Sequence, residues 1–197
     1  MTGCGCDDEL AGLERRTLWI LLVINAIMFV SEAVFGCLAE STALLADSLD
    51  MGADAAVYGV ALYAVGRSRS LQAGAATTSG VLQIALGLGV LIEVTRRSVY
   101  GSEPISLLII VTGLVALVAN VICLVLIAKH RDGGIHMRAS WIFSTNDVIA
   151  NVGVVISGGL VMLLGSRVPD LVVGSVVALI VLRGGVRIVR EATASSP

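Results

Sequence analysis

Charge is scarce in this sequence. Of its 197 residues, 14% are Asp, Glu, Lys or Arg, against about 25% in a soluble domain. The formal net charge is −2, so no basic surface recommends a nucleic-acid partner. Aromatic residues make up only 4% of the chain. No positively charged n-region, short apolar core and cleavage site open the chain. Residues 1–14 are polar and acidic, so the first apolar segment is expected to be a permanent span. No G-x-x-x-x-G-K-[ST] motif occurs, which disfavours ATP-driven pumping. No enzymatic chemistry and no cofactor are expected.

What is abundant is apolar. Hydrophobic residues make up 56% of the chain and the mean hydropathy is +0.94. The 22 glycines suit close approach of helices in lipid. The composition predicts an all-α polytopic membrane protein. About 20 apolar residues cross the hydrocarbon as a helix, and six such segments can be placed. They run over Thr17–Leu38, Thr42–Val65, Gly74–Thr95, Ile105–Ala128, Ala139–Leu164 and Asp170–Arg190. The breaks fall in AES, GRSRSLQ, RRSVYGSEP, KHRDGGIH and GSRVPD. Pro104 and Pro169 fall at span starts, where a missing N–H costs nothing. The expected organisation is a tail over 1–16, a six-span domain over 17–190 and a short tail over 191–197. No soluble domain is expected before or after the spans.

Lys and Arg set the orientation. One side carries Arg15, Arg16, Arg67, Arg69, Lys129, Arg131, Arg138, Arg183, Arg187 and Arg190. The other carries Arg96, Arg97 and Arg167. This bias predicts that both termini are cytoplasmic, in an integral protein of a bacterial inner (plasma) membrane.

The second segment is the anomaly. LLADSLDMGADAAVYG holds Asp47, Asp50 and Asp54, although each carboxylate at mid-membrane costs roughly 2.5–3.5 kcal/mol. At about 100° per residue the three fall near 0°, 300° and 340°, within an arc of about 60°. They form one acidic stripe. FSTNDVIAN in the fifth segment supplies Asp147 and Asn151, four apart on one face shared with Phe143; Asn146 points about 100° away. Carboxylates gathered in a medium of low dielectric repel each other and resist ionisation. A divalent cation removes both penalties, and a proton is the next-best solution. Metal binding expels protons and protonation expels metal. The stripe therefore reads as a cation site of an exchanger. Structural hydrogen bonding between helices is the alternative for such acids.

Other polar groups carry weaker signals. Asn25 and Glu32 share a face of the first segment; Gln83 and Asn120 lie in the third and fourth. They read as a polar lining or proton route, or more simply as interhelical hydrogen bonds. Glu93 can pair with Arg96 or Arg97 at an interface. Cys37 and Cys123 read as packing residues. Cys4 and Cys6, beside Asp7, Asp8 and Glu9, read as a soft-metal hook or as a disordered tail; C-x-C lacks zinc-finger spacing. His130 and His136 with Asp132 could take up cytosolic metal or be solvated loop residues. His136 is the better candidate, seven residues before Phe143.

STALLADSLDMGAD followed by MRASWIFSTNDVIANVGVVISG resembles the cation diffusion facilitator family of metal exporters. VPDLVVGSVVALIVL is similar to its sixth span. The resemblance implies six spans with cytoplasmic termini, a homodimer, and exchange of zinc or a related divalent ion for protons by alternating access. It places the second-span motif on Asp50 and Asp54 and the fifth-span aspartate on Asp147. The family's fifth-span histidine falls on Phe143, which cannot ligate. The implied site is Asp50, Asp54 and Asp147, with Asn151 ranked first as fourth ligand ahead of Asp47, Asn146 or water. An all-oxygen site shifts the expectation from zinc toward manganese, iron(II) or cobalt, though three carboxylates can still hold zinc; cadmium is a further relative of zinc that the resemblance leaves open. No cytoplasmic C-terminal domain is expected, a further departure from the family pattern, so dimerisation is expected to rest on the membrane part. Sensing of cytosolic metal would fall to Cys4, Cys6 and the histidines.

The sequence thus reads as a secondary transporter exporting a divalent metal in exchange for protons. Asp47 would serve as proton acceptor or as ligand in one conformation. Two rivals remain: a non-transporting metal-binding regulatory subunit, and a proton-coupled exporter of organic cations.

Overall fold

The computed structural model describes residues 4–64, 69–128 and 135–194. The side chains of 4–14, 61, 64, 69–70, 72 and 135–144 fall outside that description, and with them the expectations for Cys4, Cys6, His130, His136 and Phe143. Six helices follow one another: α1 (Cys4–Leu38), α2 (Thr42–Ala64), α3 (Arg69–Tyr100), α4 (Ser106–Ala128), α5 (Ile135–Leu164) and α6 (Val168–Ala194). No strand occurs among the described residues. The expected segments all lie within or nearly match these helices. α1, α3, α5 and α6 run further into polar sequence, since arginine, glutamate and glutamine propagate a helix well.

Five helices are long and apolar enough to cross a membrane. The exception is α2, whose three aspartates lower its hydropathy. It is also the helix that touches all five others. The acid-bearing helix is therefore the axis of the bundle, with α1 as its main neighbour, α4 paired with α5, and α3 paired with α6. Exposed apolar side chains cover the outside, among them Ile92, Leu107, Val118, Ile149 and Leu163, as expected where lipid replaces water.

Tight turns connect the helices at one end of the bundle. α1 reverses into α2 through Ala39, Glu40 and Ser41, with Glu40 in the left-handed region at φ 48°. The Ile105 amide donates to the Ala39 carbonyl at 2.9 Å, tying the start of α4 to this turn. α5 ends at Gly165, whose φ of 58° favours glycine.

The N-terminus of α2 is capped from across the molecule. Asp170 of α6 is 1% exposed. It accepts from the Thr42 amide at 2.7 Å, the Thr42 hydroxyl at 2.8 Å and the Ala43 amide at 3.2 Å. Ser41 donates its hydroxyl to the same carboxylate and accepts from the Leu44 amide at 3.1 Å. The orphan amides of the first turn are thus satisfied, and a negative group sits at the positive end of the helix dipole. The approach needs a glycine: a Cβ on Gly174 would lie 2.7 Å from the Thr42 carbonyl carbon. Gly80 and Gly185 serve the α3–α6 crossing in the same way, each facing the other's backbone carbonyl.

The weaker polar residues mostly resolve into packing. Gln83 donates to the Val181 carbonyl at 3.0 Å, joining α3 to α6. Asn25 donates to the Leu21 carbonyl at 2.9 Å and reaches Cys123 Sγ at 3.8 Å. Cys123 is buried, whereas Cys37 is exposed. Glu93 pairs with both expected partners, accepting from Arg96 at 2.7 Å and Arg97 at 2.6 Å.

Asp170→Ala leaves two buried amides without an acceptor, at about 1–3 kcal/mol each. Thermal melting in detergent should show a clearly lower midpoint for Asp170→Ala and for Gly174→Ala, and a smaller drop for Asp170→Asn. Wild-type melting of Asp170→Ala would show that the cap does not hold α2 to α6.

Candidate metal site between α2 and α5

The helical period puts the α2 acids on one stripe, and packing turns that stripe toward α5 and α1. Asp147 lies within side-chain hydrogen-bond reach of both Asp50 and Asp54. Asp50 lies between Asp47 and Asp54 and is close enough to act on both. Carboxylates at such distances repel unless a proton or a cation lies between them. Among the described residues, no three His, Cys, Asp or Glu side chains converge as they would on a bound metal. The acids are adjacent, and a metal would have to draw them together.

Accessibility divides the cluster. Asp50 and Asp54 are half-buried, whereas Asp147 is buried and Asp47 is completely so. Beyond Asp47, toward the N-terminus of α2, Ala39, Ala43, Leu44, Ile109 and Val154 pack together, each 0% exposed. The site is closed at that end. Tyr58 and Cys123 border it at the other, both near Asp54 and Asp147.

Asn151, ranked first by sequence as a fourth ligand, lies next to Asp47 and Asp147. Its amide nitrogen donates to the Asp147 carbonyl at 3.0 Å and toward Asp47 Oδ1 at 3.4 Å. It stands at the level of Asp47, one turn beyond the Asp147 side chain. Asn146 is exposed.

Glu32 faces Asp47 from α1 and is 0% exposed. Its carboxylate lies within side-chain hydrogen-bond reach of Asp47, and no other group among the described residues donates to either of its oxygens, so the interhelical pairing the sequence suggested requires a proton or a cation between the two acids. A signal for this pairing lay in the sequence. The short AES turn makes the first two helices antiparallel, and Glu32 and Asp47 stand at similar distances from it.

Residues 18–195 match the cation efflux transmembrane domain. The chain belongs to the cation efflux family. This is the family of metal transporters expected from the α2 and α5 motifs, and the chain is an integral membrane protein. The zinc transporter ZitB of Yersinia pseudotuberculosis is 25% identical over 191 residues, covering 90% of this chain and 61% of that protein. The cadmium, cobalt and zinc/H(+)-K(+) antiporter of Bacillus velezensis is 22% identical over 198 residues, covering 93% and 63%. The metal cation efflux system protein CzcD of Cupriavidus metallidurans is 20% identical over 192 residues, covering 91% and 61%. The chain thus spans about three-fifths of the length of these curated relatives.

The uneven burial of the stripe can be read chemically. With the four native cysteines replaced by serine, Asp54→Cys should react with a small polar thiol reagent much faster than Asp47→Cys. Equal rates would mean that the site is open at both ends or at neither.

Proposed function

We propose that this cation efflux protein exports a divalent transition metal from the cytoplasm in exchange for protons. The observation that carries the reading is the meeting of Asp50 and Asp54 with Asp147 inside an apolar bundle, within hydrogen-bond reach across two helices. Nothing but a proton or a cation makes that arrangement tolerable in a medium of low dielectric. Asp50, Asp54 and Asp147 bind the ion and trade it for protons. Asp47 and Asn151 extend the donor set toward the closed end, and Cys4, Cys6 and His136 are secondary metal donors before the ion enters.

In this reading α2 spans the membrane as the sixth crossing helix, its carboxylates neutralised by cargo or proton. Both termini are cytoplasmic, in keeping with the Lys and Arg bias, and the membrane is a bacterial inner membrane. The sealed layer at Ala43, Leu44 and Ile109 then faces outward. The half-buried Asp50 and Asp54 take ions from the cytoplasmic side, and alternating access moves the seal. The unit is a homodimer. The three relatives' names mention zinc, cadmium, cobalt, protons and potassium. Zinc is supported by those names. The phenylalanine at 143, where the family pattern has histidine, widens the range to manganese, iron(II) and cobalt.

The test is metal-driven proton flux in proteoliposomes loaded with a pH dye, using Zn²⁺, Co²⁺, Mn²⁺, Fe²⁺ and Cd²⁺ in turn. Flux is expected with at least one metal and should vanish in Asp54→Ala. Binding without flux would instead make the protein a non-transporting metal-binding subunit. Competition by organic cations, with indifference to Asn151→Ala, would favour an organic-cation exporter.

Because each bound ion displaces protons, apparent metal affinity should rise as pH rises and fall as pH falls. A pH-independent affinity between pH 6 and 8 would rule out exchange at these carboxylates. Phe143→His should raise the preference for Zn²⁺ over Mn²⁺ by about tenfold or more, the effect of a softer donor worth about 1.4 kcal/mol or more. Competition dialysis of the two metals reads it directly.

A further inference from the structure

Asp47 belongs to a second set of donors as well as to the α2 stripe. Glu32, Asp47 and Asn151 come from α1, α2 and α5 and are each 0% exposed. Four of their oxygens have no hydrogen-bond donor among the described residues: Glu32 Oε1 and Oε2, Asp47 Oδ2 and Asn151 Oδ1. The amide nitrogen of Asn151 is already engaged, by the Asp147 carbonyl and Asp47 Oδ1, which leaves its carbonyl end free to accept. Buried polar oxygens without a donor are rare and require an explanation. Glu32 and Asp47 face each other within side-chain hydrogen-bond reach, so with an amide carbonyl beside them, all desolvated, the set is relieved by a shared proton or by a cation.

We propose that Glu32, Asp47 and Asn151 form a second subsite for the transported divalent cation, beyond Asp50 on the way to the N-terminus of α2. The inference rests on the reading of the cargo as a divalent metal. Two carboxylates balance the charge of one dication, and the neutral amide adds an oxygen without adding charge. The donors are all hard oxygens, suited to Mn²⁺ and its neighbours.

Asp47 lies about 4.5 Å before Asp50 and about 10.5 Å before Asp54 along the helix axis. Asp50 can therefore bridge the two subsites, as carboxylates do where two metals lie close together. The positive end of the α2 dipole would oppose a cation this near Thr42, and the Asp170 carboxylate on that end offsets it. The subsite lies just beneath the apolar seal, so it is the last stop before the route opens.

The purified full chain, with Cys4 and Cys6 replaced by serine and His136 by alanine, is dialysed against Mn²⁺ and bound metal is counted per chain. Two ions are expected in wild type, one in Glu32→Gln, one in Asp54→Asn and none in the double variant. Two ions in a folded Glu32→Gln protein, or one in wild type unaffected by Glu32→Gln, would overturn the subsite and leave the transport reading intact. No ion in wild type with Mn²⁺, Co²⁺ or Zn²⁺ would overturn the metal reading itself. Asn151→Asp provides the check if Glu32→Gln fails to fold. Its added charge should tighten the weaker of the two ions by tenfold or more, and unchanged affinity would count against the subsite.

Discussion

The structure depends on keeping carboxylates away from water without leaving them alone. An isolated ionised carboxylate in an apolar interior is too costly to persist. This chain places Asp47, Asp50 and Asp54 on one face of one helix and adds Asp147 and Glu32 from two others. The central position of α2 follows from that cost. A helix carrying three acids cannot face lipid along its polar stripe, so it is surrounded, and it touches every other helix.

The surrounding helices must then hold α2 in register without a hydrophobic driving force between them, since lipid tails are as apolar as leucine side chains. Close packing and polar contacts take over that task. Gly174 lets α6 approach until its backbone nearly touches Thr42, which brings Asp170 onto the first turn of α2. Gly113 and Gly158 let α4 and α5 interlock through Val154, Val155, Ile109 and Ile110. These contacts lie at the sealed end. The half-buried acids Asp50 and Asp54 lie further along α2, next to a second packed cluster of Leu21, Tyr58, Cys123 and Ile127.

A resident metal and a transported one make different demands on their ligands. A resident metal cofactor is held by donors preorganised around it, with a supporting shell fixing each ligand. A transported ion must also leave, so its donors need not converge before it arrives. Here Asp147 lies within hydrogen-bond reach of Asp50 and Asp54, and among the described residues no group donates to the Glu32 oxygens or to Asp47 Oδ2. Such a set gains stabilisation only when an ion or a proton is present, so ion occupancy can be coupled to a change of conformation.

Much of this could be read before any coordinates existed. Runs of apolar residues fixed six helices, because hydropathy and helix length are properties of local sequence. The 3.6-residue period put Asp47, Asp50 and Asp54 on one stripe and Asp147 with Asn151 on another, and the paired motifs pointed to the family. Partnership was decided only in three dimensions. Asn151 and Glu32 both meet Asp47, and Asp170 reaches Thr42 across 128 positions of chain. The physical reason is that helical periodicity is local, so it determines which side chains share a face. Which face meets which neighbour, and at what depth, depends on crossing angles and axial register, and those are set by contacts such as Gly174 on Thr42 that join residues far apart in sequence.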